Sequence, residues 1–477
     1  MAKLREECGV VGVLGDPEAA NLIYLGLYAL QHRGQEACGI VCFDNDEKQE
    51  RAILHGHKAF GLVGDAINRE ILEKLQGDIG IGHVRYSTSG GRLLQNIQPF
   101  SFRSPRYGHI SIAHNGNLTN AKIIREELEA GGAIFSTTSD TEVFMHLLAR
   151  SRRPELKDRI VEVMGIVRGA YSLVIAAKDV LFAVRDPFGY RPLVIGKKGN
   201  ATIVASETCA LDLLDASDYS EVQPGEIIEI TRTGRNSSFP FAATKKEFCS
   251  FEPIYFARPD SYLFEDSIYD LRKKMGEELA SESQVEADHV IAIPDSGMPM
   301  AIGYSNKSKI PIELGLIRNH YVGRTFIEPS QEIRDFGVKL KLNPVSEKIR
   351  GKKIILVDDS IVRGTTSVKI VRMLRKAGAK EIHFRVGSPP ITHSCYYGVD
   401  TPARKDLLAA QKTVKEIKEL IGVDSLAYLS LEGLKRALGK DSYCFACFNG
   451  KYQEEIFKDV PFQPTDVNGP GLSSLEN

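Results

Sequence analysis

The chain has 477 residues, too many for one ordinary core and enough for two large domains. Hydrophobic residues make up 43% and charged residues 26%, the balance of a soluble globular protein, which excludes a disordered or fibrous chain. With 61 Lys and Arg against 62 Asp and Glu, no global field favours nucleic acid or an anionic membrane, and small-molecule partners are expected.

The first residues, Met1-Ala-Lys-Leu-Arg-Glu-Glu7, are charged and lack the apolar core of a secretory signal. No apolar run reaches the roughly 18 residues that span a bilayer, so a cytoplasmic location is expected. In a reducing compartment the eight cysteines point to catalysis, metal ligation or packing rather than to disulfides. Up to about residue 235, strand-like stretches at 9–14, 110–113 and 172–176 alternate with turn signals, as in a sheet-rich α+β domain. A helix is predicted to begin within Ser139-Asp140-Thr141-Glu142, with Ser139 and Asp140 as capping candidates, and to run through Val143, Phe144, Leu147 and Leu148. The polar stretch 231–238 is read as the end of this domain. From about residue 260 the pattern becomes helix, strand, loop and helix, which predicts βα units on a parallel sheet. One unit has a strand at 289–293, the loop Pro294-Asp295-Ser296-Gly297 and a helix through Met300, Ala301 and Tyr304. Another has a strand at 354–357, a loop from Asp358 to Thr365, a helix at 366–377, a stop at Gly378 and a strand at 382–386. This domain is drawn over residues 260–455, and the tail from Thr465 is polar and read as loose.

The loop Asp358-Asp359-Ser360-Ile361-Val362-Arg363-Gly364-Thr365-Thr366-Ser367 puts two carboxylates at the C-terminal edge of a buried strand, where open α/β sheets bind ligands. Gly364 supplies an unusual backbone conformation, and the N–H groups and hydroxyls of Thr365, Thr366 and Ser367 then open a helix, a favourable place for a phosphate. Asp358 and Asp359 suit ribose hydroxyls or a hydrated Mg2+. Paired aspartates before a Thr-rich turn are also an ordinary helix cap, but the whole string resembles the signature of type I phosphoribosyltransferases. Neither a P-loop nor a Gly-x-Gly-x-x-Gly motif occurs in the chain. By the same resemblance Pro294 to Gly297 holds the pyrophosphate end, with Ser296 beside the Mg2+. The basic, aromatic stretch around Arg324 to Ile327 forms a lid, with Arg324 on the polyphosphate.

Cys8-Gly9-Val10-Val11-Gly12, Gly82-His83-Val84-Arg85-Tyr86-Ser87-Thr88, His114-Asn115-Gly116-Asn117, Ser139-Asp140-Thr141-Glu142 and Arg185-Asp186-Pro187-Phe188-Gly189 follow one another in the N-terminal half. Read singly, these are a core cysteine, a strand, a hairpin turn, a helix cap and a loop. Together they resemble the N-terminal-nucleophile glutaminase domain. That resemblance implies Cys8 as nucleophile, Asn115 and Gly116 as oxyanion donors, and Arg85, Thr88 and Asp140 as ligands of the glutamine backbone groups. The base in this class is the α-amine of the nucleophile itself, which an amide cannot replace. Residues 1–7 are therefore expected to be a propeptide removed ahead of Cys8, leaving a glutaminase domain over 8–235.

Cys444-Phe-Ala-Cys447 is a C-x-x-C motif, and Cys249 and Cys395 lie elsewhere in the chain. Spacing alone leaves zinc and an iron–sulfur cluster equally open. The resemblance extends over nearly the whole chain to the family of glutamine phosphoribosylpyrophosphate amidotransferases, in its propeptide- and cluster-bearing subgroup. It implies an αββα glutaminase domain followed by an α/β phosphoribosyltransferase domain with a parallel sheet. It also implies one 4Fe-4S cluster per subunit on Cys249, Cys395, Cys444 and Cys447, and one Mg2+ per subunit. Cys38, Cys42 and Cys209 are read as core residues. The implied reaction takes ammonia from glutamine and delivers it to C1 of phosphoribosyl pyrophosphate, giving phosphoribosylamine, glutamate and pyrophosphate at the start of purine synthesis. A homotetramer inhibited by purine nucleotides is implied as well. Two rivals are a glutaminase with another acceptor and a phosphoribosyl pyrophosphate-binding regulator. The Asp358 to Ser367 loop speaks against the first, and the glutaminase motifs and lack of a basic DNA-binding segment against the second.

Overall fold

The computed structural model describes residues 8–44, 52–86, 93–319 and 341–453. The expected propeptide, Thr88, Arg324 and the tail from Thr465 lie outside the described residues. Two sheets open the chain. The first runs in the order Ser217–Glu221, Val194–Lys198, Ala201–Ala205, Gly9–Leu14, Ile79–Arg85, Ala37–Asp44, Ile53–Phe60. The second runs Gly234–Ser238, Ile227–Thr231, Val180–Arg185, Gly169–Ala177, Gly108–Leu118, Phe100–Ser104. Neighbouring strands are antiparallel in both sheets.

Alternation along the strands builds three apolar layers. Val10, Val41, Ile81, Ala113, Val174 and Leu181 fill the space between the sheets. Val11 and Ile40 face the other way, onto Ile23 and Leu27 of the helix Ala19–Ala29. Ile110 and Ile112 meet Val143, Phe144, Leu147 and Leu148 of the helix Thr141–Arg150. The expected αββα arrangement is therefore present. The polar stretch 231–238, read as the end of the first domain, forms a hairpin: Thr231 pairs with Gly234, and Gly234–Ser238 is the edge strand of the second sheet. Its polar, exposed side chains suit an edge, which must not offer an apolar ladder to other chains.

The second unit is built on a parallel sheet in the order His289–Ala292, Lys353–Asp358, Glu381–Val386, Ser425–Tyr428. Helices Ile268–Glu282 and Met298–Ser308 bury Leu271, Met275, Met300 and Tyr304 against Ile355 and Val357. Helices Thr365–Lys376 and Val414–Ile421 bury Ile370, Leu374 and Ile417 against Ile354 and Leu356. Both faces are thus covered, which is why 290–292 and 354–357 read as continuous apolar runs. The expected elements here match to within a residue at each end. Phe248–Cys249 and Tyr443–Cys444 pair in parallel and tie the chain after the first unit to its C-terminal segment. Among the described residues no helix is long and apolar enough to cross a membrane.

Two candidate active sites

Cys8 immediately precedes the strand Gly9–Leu14, and its Sγ lies 3.9 Å from the Tyr86 carbonyl. One small cavity is lined by Cys8, Arg85, Tyr86, His114, Gly116, Ser139, Asp140 and Thr141. The structure therefore gathers Cys8, Arg85, Gly116 and Asp140, which the sequence holds far apart. Asp140 sits at the N-terminus of the helix Thr141–Arg150, but its carboxylate does not cap that helix. It accepts the Leu118 N–H at 2.9 Å, reaching across to the strand Gly108–Leu118 instead. His114 Nδ1 lies 4.0 Å from the same carboxylate, and burial lowers the His114 pKa, although the Asp140 charge opposes that effect.

Asn115 does not line this cavity, because its side chain leaves the opposite face of the strand from His114 and Gly116. It lies two residues beyond Ala113, whose side chain packs between the sheets. Asn115 is fully buried, and neither its amide nitrogen nor its oxygen has a hydrogen-bond partner among the described residues. Leaving such a group unpaired costs about 1 to 3 kcal/mol. Gly116 has φ +150, and a Cβ there would fall 2.0 Å from the Ala170 carbonyl oxygen, so only glycine fits.

A buried ionic network that sequence reading missed lies behind Cys8. Arg33 Nε donates to the Cys8 carbonyl at 3.2 Å, and its other nitrogens donate to Glu207 at 2.6 Å and to Glu252 at 2.6 and 2.9 Å. Arg191 adds a bond to Glu252 at 3.1 Å, and His32 one to Glu207 at 2.7 Å. Burial alone would raise both carboxyls, but His32 and Arg33 hold Glu207, and Arg33 and Arg191 hold Glu252, below the usual carboxylate range.

In the second unit, Asp358 to Ser367 and Tyr255 line one cavity at the C-terminal edge of the parallel sheet. Asp358 and Asp359 are buried, while Arg363 and Thr365 face outward. The Asp359 N–H bonds Asp358 Oδ1 at 3.0 Å, and the Ser360 hydroxyl bonds Asp359 Oδ1 at 2.5 Å. Gly364, at φ +73, turns the chain into the helix Thr365–Lys376. Ser296 does not line the cavity, but its neighbour Gly297 packs against the Val357 carbonyl and Asp358 Cα, so the two loops adjoin. Asp295 pairs with Arg318. Tyr255 was not foreseen, because an aromatic in a short turn carries no signal of its own.

Cys249, Cys395, Cys444 and Cys447 line one further cavity with Tyr190, Ile391 and Tyr397. Burial pushes the Cys444 thiol up to about 12, and burial together with Cys444, Cys395 and Cys249 raises Cys447 further above its ordinary value. Among the described residues no three His, Cys, Asp or Glu converge as ligands of a single ion. Cys38, Cys42 and Cys209 are buried in the core, as expected. None of the eight cysteines is in a disulfide.

Residues 83–213 match the Glutamine amidotransferase domain family, and residues 265–387 the Phosphoribosyl transferase domain family. The chain is 53% identical to the chloroplastic amidophosphoribosyltransferase 1 of Arabidopsis thaliana, over 98% of this chain and 80% of the relative. It is 47% identical to the amidophosphoribosyltransferase of Bacillus subtilis over 96% of each chain. Among solved structures, the glutamine phosphoribosylpyrophosphate amidotransferase from B. subtilis, complexed with ADP and GMP, superposes with a TM-score of 0.88 at 46% identity, over 95% of this chain and 99% of that one. A structure of the allosteric regulatory enzyme of purine biosynthesis gives a TM-score of 0.89 at 47% identity, covering 95% and 97%. With a glutaminase-type cavity around Cys8, a phosphoribosyl-type loop on the parallel sheet and relatives that match both in one order, the chain belongs to the amidophosphoribosyltransferases.

Proposed function

We propose that the chain hydrolyses glutamine at Cys8 and transfers the ammonia to phosphoribosyl pyrophosphate, forming phosphoribosylamine and releasing glutamate and pyrophosphate in purine biosynthesis. The observation that carries this reading is the pairing, in one chain, of the Cys8 cavity with the Asp358 to Ser367 cavity. Arg85 offers a planar fork to the glutamine α-carboxylate and Asp140 an acceptor for the α-ammonium, with Thr88 as a further glutamine ligand. Cys8 Sγ attacks the side-chain amide carbon, its proton passing to the α-amine of Cys8. The tetrahedral oxyanion is met by the Asn115 amide and the Gly116 N–H. Collapse expels ammonia, which carries the proton away, and leaves a glutamyl thioester; water cleaves that ester to glutamate and restores the thiol. Ammonia then travels through the interior to C1 of phosphoribosyl pyrophosphate and displaces pyrophosphate.

At the acceptor site the Thr365, Thr366 and Ser367 N–H and hydroxyl groups hold the 5-phosphate, Asp358 and Asp359 the ribose hydroxyls, and Arg363 and Arg324 the outer charges. Asp358, Asp359 and Ser296 are suited to a Mg2+ that keeps several waters, and when bound that ion neutralises the leaving pyrophosphate. A 4Fe-4S cluster is assigned to Cys249, Cys395, Cys444 and Cys447, which line one cavity and supply the four-thiolate donor set that such a cluster takes. Its role is to staple the C-terminal segment to the junction between the units.

A solved relative holds ADP and GMP, which supports purine nucleotides as inhibitors of this chain. We extend the reading to a homotetramer, tested by sedimentation, and to a cytoplasmic location, tested by fractionation, since plant relatives are named chloroplastic. The experiment for the active-site assignment is N-terminal sequencing combined with Cys8→Ala. The reading expects mature protein to begin at Cys8, and the variant to lose glutamine-dependent turnover while using ammonium salts normally. Active protein that retained residues 1–7, or a variant still active with glutamine, would overturn it.

A further inference from the structure

We propose that Gly398, contributed by the phosphoribosyltransferase unit, is a positioning residue for glutamine hydrolysis, because it forms the outer wall that seats Gly116. The proposal rests on the reading of Gly116 as an oxyanion donor. Gly398 has φ +104, and a Cβ on it would stand 3.0 Å from both Cα and the carbonyl carbon of Gly116 and 3.3 Å from Arg191 Nε. Gly116 is also blocked by the Ala170 carbonyl, 2.0 Å from where a Gly116 Cβ would be. The oxyanion turn thus abuts two backbones, one from each unit, with no room for a side chain on either glycine.

Hydrogen bonds fix the wall in place. Asn117 Nδ2 donates to the Tyr396 carbonyl at 2.9 Å, and Arg191 Nε to the Tyr397 carbonyl at 3.0 Å. Arg191 is itself anchored to the buried Glu252, and the Tyr397 ring stacks on Tyr190 with centroids 4.1 Å apart. The segment that ends at Gly398 begins just after the strand Glu381–Val386, where the Gly387 N–H bonds the Asp358 carbonyl at 2.8 Å. One stretch of backbone therefore touches the phosphoribosyl loop at one end and the oxyanion turn at the other. An oxyanion donor works only within about 2.7 to 3.1 Å of the developing charge, and a misplacement near 1 Å costs about 100-fold in rate. Because that donor meets charge that exists only in the transition state, a shifted wall lowers kcat and spares glutamine binding.

The test compares Gly398→Ala, Asn117→Ala and Cys8→Ala, with glutamine or an ammonium salt as nitrogen source and phosphoribosyl pyrophosphate present. Gly398→Ala is expected to lower kcat for glutamine hydrolysis about 100-fold, with KM for glutamine and the ammonia-dependent rate each within about twofold of wild type. Asn117→Ala, which removes one bond from the wall and adds no atom, is expected to lower the same kcat about 10-fold, and it decides the question if the Gly398 variant does not fold. Unchanged glutamine kcat in Asn117→Ala, or equal losses with glutamine and ammonia, would overturn the proposal. Cys8→Ala separates the two readings: glutamine-dependent turnover surviving in that variant would instead overturn the active-site assignment.

Discussion

Replacing Asn115 with Leu keeps the fork at Cγ but exchanges the amide nitrogen and oxygen for methyl groups, and it separates a catalytic donor from a structural one. Asn115 is fully buried, and both polar atoms of its amide lack partners among the described residues. A buried polar group without a partner destabilises the fold by about 1 to 3 kcal/mol, so Leu is expected to recover much of that, less any cost of the larger side chain. In a domain of 150 to 250 residues each kcal/mol raises Tm by about 2 to 4 °C. The same change removes one oxyanion donor, and kcat with glutamine should fall about 100- to 1000-fold, or about 2.7 to 4 kcal/mol in the barrier. Calorimetry gives the stability, and glutamate release against ammonia-dependent pyrophosphate release gives the two rates. A less stable variant with a normal glutamine rate would refute the reasoning, since it would make Asn115 a packing residue.

Burial, with repulsion from Arg85, lowers the pKa of His83 from 6.5 to about 3, so the folded state resists protonation. Its contribution to stability is present above pH 6.5 and is lost as pH falls towards 3, because the unfolded chain binds the proton first. Between pH 7 and pH 5 this costs about 2 kcal/mol, and urea titrations at the two pH values should show a loss of stability smaller by about that much in His83→Gln than in wild type. Arg33→Met leaves Glu207 and Glu252 buried without their principal cation and should cost about 3 to 5 kcal/mol in urea unfolding; a loss under about 1 kcal/mol would mean the network relaxes freely. Asp358→Asn and Asp359→Asn each remove a charged acceptor and should raise KM for phosphoribosyl pyrophosphate about 10- to 100-fold with either nitrogen source, while leaving labelling of Cys8 by a glutamine analogue unchanged.

Cys8, Arg85, Asp140 and the Asp358 to Ser367 loop were legible because each sits in a short string whose residue types meet one chemical need. The parallel sheet was legible from the alternation of strand, loop and helix after about residue 260. What escaped was built from distant pairs. Arg33 meets Glu207 across 174 positions and Glu252 across 219, and no local pattern announces such a partner. The contact of Gly398 with Gly116 is hidden in the same way, because a glycine signals freedom of the backbone and not which backbone lies against it. Asp140 has the right residue type for a helix cap, yet the Leu118 N–H claims its carboxylate. The stretch 231–238 gave no strand signal, because an exposed edge strand carries a polar composition.

Glutamate and pyrophosphate release, followed together in anaerobically purified protein given glutamine and Mg2+ with and without phosphoribosyl pyrophosphate, tests the coupled reaction most directly. Equal release of both products that depends on phosphoribosyl pyrophosphate is the expected result. Glutamate without pyrophosphate, at a rate indifferent to phosphoribosyl pyrophosphate, would contradict the transfer of ammonia between the two sites.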